Sequence, residues 1–238
     1  VLTFEGISFL PNMNPRIRQI FSHRAAGRAF TLIEVLVVVA MIALIVAAMA
    51  PMVFSSLVST RLTSAGETLG GQLSLARQLA VSRNESVEVR FYEYEDPESP
   101  GAKPAYRAIA IMSLRDRPGA AANGLREQLT DTYFLPSGIV LGSSQSLSPM
   151  LASGSIPSTQ DLEKVIKRAN NARYKAFQIN PDSSTNLTVL MGGTYRPDIT
   201  YFTVAEERVL TDDNGEIPKN FFVVQIDPDT ARTSTYRP

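Results

Sequence analysis

Phe30-Thr-Leu-Ile-Glu34-Val-Leu-Val-Val-Val-Ala-Met-Ile-Ala-Leu-Ile-Val-Ala-Ala-Met-Ala-Pro51-Met-Val-Phe54-Ser-Ser-Leu-Val58 is the stretch on which the reading of this chain turns. Between Glu34 and Arg61 no side chain is charged. A helix rises about 1.5 Å per residue, so Val35 to Phe54 reaches about 30 Å, the thickness of a bilayer's hydrocarbon core. A lone span must satisfy its own backbone hydrogen bonds, which only a helix does. Length and composition therefore predict one membrane span over residues 30–58. Its anomaly is Glu34, a carboxylate at the lip of the apolar run.

The flanks give the span a direction. Before it stand Arg16, Arg18, Arg24 and Arg28 against Glu5 alone, and no basic residue follows until Arg61. Positive charge stays in the cytoplasm, so the C-terminal part is expected on the far side. Residues 1–29 read as a basic leader and not as structure, with translation expected to begin at Met13 or at a non-standard codon for Val1. An ordinary secretory signal would place its cleavage site after a short apolar core. Here the small residues Ala26, Gly27 and Ala29 come before the apolar run.

Gly27-Arg-Ala-Phe-Thr-Leu-Ile-Glu34 resembles the cleavage and methylation signal of type IV prepilins and of the pseudopilins of type II secretion. The resemblance implies a cut between Ala29 and Phe30 by a prepilin peptidase, then N-methylation of Phe30. It puts Glu34 fifth and Pro51 twenty-second in the processed chain, where the family carries its assembly glutamate and a helix-kinking proline. The departure is Ala29, which stands where the family usually has glycine. The implied partners are the peptidase, other pilins or pseudopilins in a filament, and the inner membrane. The implied localisation is single-pass in that membrane with the domain periplasmic, and later in a filament or at the surface.

Glu34 has a physical account within that frame. Moving an ionised carboxylate toward the bilayer centre costs about 2.5 to 3.5 kcal/mol on insertion scales. The resemblance supplies a partner, the amino group of Phe30 that cleavage creates. The competing reading leaves Glu34 in the headgroup layer with no role.

The remainder, residues 59–238, is long enough for one domain with a real core. The whole chain has 23 basic and 23 acidic residues, and the leader takes basic ones almost exclusively, so the processed chain has no basic excess to attract nucleic acid. There is no cysteine or tryptophan, and the single histidine, His23, lies in the leader. That removes His- and Cys-based nucleophilic catalysis and the usual zinc sets. No enzymatic activity, cofactor or metal is expected. Asp212-Asp-Asn-Gly-Glu216 lacks the ligand spacing of a calcium loop, and Asn214-Gly215 reads as a hairpin turn.

Leu62, Ala65, Leu69, Leu73, Ala76 and Leu79 recur at steps of three or four, predicting that the helix continues to about Ser82 with one apolar face against a sheet. Arg83-Asn84 is its expected exit. Alternation predicts strands at residues 86–94 and 105–112, a broken one over 132–141 around Pro136-Ser-Gly138, and others at 175–180, 187–191, 199–205 and 221–226. Residues 142–160, rich in Ser, Pro and Gly, read as an exposed insertion. Asp161 to Asn170 reads as a short helix, and Lys164, Lys167, Arg168, Arg173 and Lys175 as a solvated basic face.

The predicted fold class is thus α+β, a long N-terminal helix packed on a mostly antiparallel sheet, which is similar to the layout of pilins. Leu75 to Val89, Ala176-Phe-Gln-Ile-Asn-Pro-Asp-Ser-Ser and Phe221-Phe-Val-Val-Gln-Ile-Asp-Pro-Asp are similar to the minor pseudopilin H and FimT-like group, and the length and signal variant resemble the Verru_Chthon cassette protein D group. Some FimT-like proteins bind DNA through a C-terminal glycine-arginine motif. Here Arg232 and Arg237 are the corresponding candidates, without the glycine, so no nucleic acid is expected.

Overall fold

The computed structural model describes residues 30–98, 101–116, 126–152, 156, 158–167, 169, 171–187, 190–191, 194–195, 200–211 and 218–238. They divide into two compact units, one ending at Pro51 and the other beginning at Met52. The expected turn at Asn214-Gly215 and the leader lie outside the described residues.

Helix α1 runs Leu32–Arg83, through Pro51. Within the second unit its inner stripe is Leu62, Ala65, Leu69, Leu73, Ala76 and Ala80, all buried, with Leu79 partly so. The stripe packs on a sheet, as its spacing predicts. Asn84 ends the helix in the left-handed conformation, at φ 50°, and Glu85 N–H closes onto Ala80 O at 3.2 Å.

Among the described residues twelve strands follow: β1 Val87–Tyr94, β2 Ala105–Asp116, β3 Arg126–Gln128, β4 Tyr133–Phe134, β5 Ile139–Leu141, β6 Ser158–Gln160, β7 Arg173–Ile179, β8 Leu190–Met191, β9 Thr194–Tyr195, β10 Tyr201–Glu206, β11 Phe221–Ile226 and β12 Thr233–Tyr236. Helix α2, Glu207–Thr211, lies between β10 and β11. The main sheet has the order β12-β11-β10-β5-β2-β1-β7-β6, and β8 and β9 pair separately. Strands β3, β4 and β5 are successive pieces laid antiparallel along β2, at Gln128 opposite Met112, Phe134 opposite Ala108 and Leu141 opposite Tyr106. The expected break is the turn at Pro136–Gly138, closed by Ile139 N–H to Pro136 O at 3.0 Å.

Helix and sheet approach closely at Gly66. A Cβ there would fall 2.2 Å from the Phe222 ring of β11. Only the absence of a side chain lets α1 lie this near the strand. Against the same face, Phe91 meets Phe202 edge-on at 5.1 Å and stacks with Phe177 at 6.2 Å.

The sheet is also buried on the side away from α1. Strand β1 reads as apolar and polar in alternation, yet Arg90 and Tyr92 are as buried as Val89 and Phe91. A second cluster of Tyr92, Tyr94, Ala108, Ala110 and Met112 is closed by Ile166 and Ala172. The segment that closes it is not the expected helix. Asp161 accepts Val165 N–H at 3.1 Å and Ile166 N–H at 2.9 Å with its two carboxylate oxygens, and Lys164 is left-handed at φ 51°. A side chain that satisfies local N–H groups competes with the helical ladder, and here it wins because Glu163 is drawn inward to Arg90.

Residues 142–160 also depart from expectation. They are not simply exposed: Ser148, Met150, Leu151, Ala152 and Ile156 are buried. Strand β5 is too short to pair the whole of β10, so the stretch after it takes over. Gly142 N–H donates to Thr203 O at 2.8 Å, and Ser148 Oγ accepts Thr203 N–H at 2.9 Å. Ser148→Ala should leave that buried N–H without a partner, at a cost of about 1–3 kcal/mol. A matching fall in the urea midpoint at unchanged m-value is the measurement that checks it.

Candidate functional site

The residues singled out in the sequence fall into two places. Phe30 and Glu34 stand at the head of α1, and every described side chain from Phe30 to Met49 is exposed. The window Leu32–Met49 has mean hydropathy 3.0. Thr31 starts the helix: its Oγ1 accepts Glu34 N–H at 3.2 Å, and its carbonyl accepts Val35 N–H at 3.2 Å. Thr31-x-x-Glu34 is the capping-box spacing, and that spacing is the sequence signal of the cap. The cap fixes Glu34 in the first turn, where the positive end of the helix dipole favours a carboxylate. Ala29 lies outside the described residues. Pro51 is helical and its side chain is not described.

Arg232 and Arg237 sit at the other end of the chain. Arg232 is exposed. Arg237 is engaged: its guanidinium donates to Thr63 Oγ1 and Ser59 Oγ on α1 and to Asn220 Oδ1 at 3.4 Å. It fastens the last strand to the helix, which is a structural use of a residue proposed as a DNA contact. The basic cluster also divides. Lys164, Lys167 and Arg173 are exposed, but Lys175 is buried and donates to Leu151 O and Ala152 O, each at 2.8 Å. Burial pulls its pKa down, against the opposing charge of Glu93.

Two buried arginines were not legible as such. Arg90 projects from the second face of β1, pairs with Glu88, meets Glu163 at 2.9 Å and lies 4.1 Å over the Tyr174 ring. Burial disfavours the Glu163 carboxylate, but the hydrogen bond and charge of Arg90 outweigh it and hold the pKa below the usual value. Burial likewise pushes the Tyr92 hydroxyl up. Arg107 on β2 holds both carboxylate oxygens of Glu207 and comes within 3.7 Å of Asp96. A single Arg in an alternating strand reads as solvent-facing, and only the covering segment makes it otherwise.

A cavity of about 530 Å³ lies between the start of β2, the end of β5 and α2. Glu206 and Glu207 both line it. Glu207 is committed to Arg107, and Arg208 stands 3.6 Å from Glu206. Among the described residues no group of three or more His, Cys, Asp or Glu is placed to hold a metal ion.

No family model matches the chain, and no curated protein matches it in sequence. Two solved structures are similar. The type IV minor pilin FimU of Pseudomonas aeruginosa is 14% identical, with 75% of this chain and 93% of that one covered at a TM-score of 0.39. The minor pseudopilin EpsH from the type 2 secretion system of Vibrio cholerae is 10% identical, with 75% and 98% covered at a TM-score of 0.37.

Proposed function

We propose that this chain is a minor pilin or pseudopilin, a structural subunit held in the inner membrane by α1 before it enters a filament. The observation that carries the reading is the head of α1. Phe30, exposed, precedes a capped helix whose only charge before Arg61 is Glu34. A prepilin peptidase would cut between Ala29 and Phe30, and methylation would follow on Phe30. The apolar span then packs with other spans, and the sheet domain lies on the periplasmic or outer side. The organisation that follows is a leader over 1–29, an assembly helix over 30–58 and a domain over 59–238. Arg237, held by α1, gives no support to a DNA-capturing variant of the same role.

Intact-mass and N-terminal fragment spectra of the chain, made in cells that have the processing machinery, test the reading. The expected species begins at Phe30 and carries one added methyl group. A chain that keeps its arginine-rich leader in those cells overturns the proposal.

A further inference from the structure

We infer that Asp161–Lys167 is a cover on the second face of the sheet, one that opens as a unit of its own while α1 and the main core stay folded. Three features of the segment bear on it. The cover has no regular structure and organises itself: both oxygens of Asp161 are spent on Val165 and Ile166 N–H groups of the same segment. These bonds tie the segment to itself and to no strand, so opening brings them into water and frees both amides for exchange. Its apolar hold is narrow, with Ile166 buried, Val165 partly buried and Leu162 67% exposed. Its strand connection is the short edge β6, whose three residues are all exposed.

One polar latch fixes it. Glu163 reaches the buried Arg90, and the same carboxylate accepts Arg126 N–H at 3.2 Å. Glu88, on the neighbouring position of β1, pairs with Arg90 in either arrangement and would hold its charge when Glu163 leaves.

The closed arrangement also carries a penalty. Beneath the cover the Tyr92 hydroxyl is buried beside the Arg90 guanidinium, and among the described residues it makes no hydrogen bond of normal geometry. A buried hydroxyl without a partner is destabilising, and opening the cover returns it to water. The latch and the orphaned hydroxyl therefore act in opposite directions on one equilibrium. This is the balance that a locally opening unit needs.

Backbone hydrogen exchange of the whole chain in detergent micelles reads this directly. Val165 and Ile166 N–H report the cover, and Leu69, Leu73 and Ala76 N–H report the core. In the unmodified chain the two cover amides should exchange at least 100-fold faster than the core amides. Glu163→Gln should speed the cover amides a further tenfold or more and leave the core amides unchanged. Tyr92→Phe, which removes the orphaned hydroxyl and keeps the ring, should slow the cover amides several-fold. Tyr92→Phe settles the matter even if Glu163→Gln fails to fold. Cover and core amides exchanging in step in the unmodified chain, or Tyr92→Phe failing to slow the cover, overturns the inference.

Discussion

Gly66→Ala should destabilise the sheet domain, although alanine is the better helix former by about 1 kcal/mol. The added methyl would meet the Phe222 ring at 2.2 Å. Ring and helix are both built into the main core, so neither yields without disturbing neighbours. Overpacking of this kind costs about 1–3 kcal/mol, which outweighs the propensity gain. Gly71→Ala is the control. Nothing lies within 4 Å of the Cβ it would add, so the same substitution five residues on should stabilise by a few tenths to about 1 kcal/mol. Phe222→Leu in the Gly66→Ala background should recover part of the loss, because the two changes share a contact and are not additive. Urea unfolding of these three variants and of Phe222→Leu alone checks the set. Gly66→Ala matching Gly71→Ala in sign would refute the close approach.

Glu34→Gln should abolish entry into a filament while leaving membrane insertion and the fold intact, a loss on the order of a hundredfold in assembled subunit. The substitution separates two roles of this residue. Gln serves at the third position of a capping box as Glu does, so the first turn of α1 survives. What disappears is the negative charge available to a neighbouring Phe30 amine, and a carboxylate kept at the edge of an apolar span needs such a partner. Thr31→Val does the reverse, removing the cap and keeping the carboxylate. The amount of subunit recovered in sheared filaments, against the amount held in the membrane fraction, measures both. Equal recovery for Glu34→Gln and the unmodified chain would sink the pairing.

Much of the fold follows from short-range pattern. The stripe from Leu62 to Ala76 is buried as its spacing demands, and β1, β2, β10 and β11 fall where alternation places them. What could not be read depends on partners remote in the chain. Asp161-Leu-Glu-Lys-Val-Ile-Lys has the charge order of a capped helix. Its acids go elsewhere, Asp161 to its own backbone and Glu163 to Arg90 across the sheet. Ser148 in a Ser-rich stretch looks solvated, but it completes β10 because β5 is only three residues long. Lys175 and Arg90 sit at alternating positions that suggest solvent, and segments distant in sequence bury them. At the candidate site, Glu34 was found by its isolation in an uncharged run. Thr31 carries its own short-range signal, the three-residue spacing to Glu34 that its cap uses.

The double burial of the sheet has a practical consequence for anyone who wishes to watch this molecule. A chain with no cysteine accepts one engineered thiol without background. Over Val89–Tyr92 of β1 and Tyr106–Ser113 of β2 neither surface is free for a dye or spin probe, since successive side chains, pointing opposite ways, are all sealed. Leu162, 67% exposed, is a mild place for a reporter group, and a label there would ride on the one part whose excursions matter most.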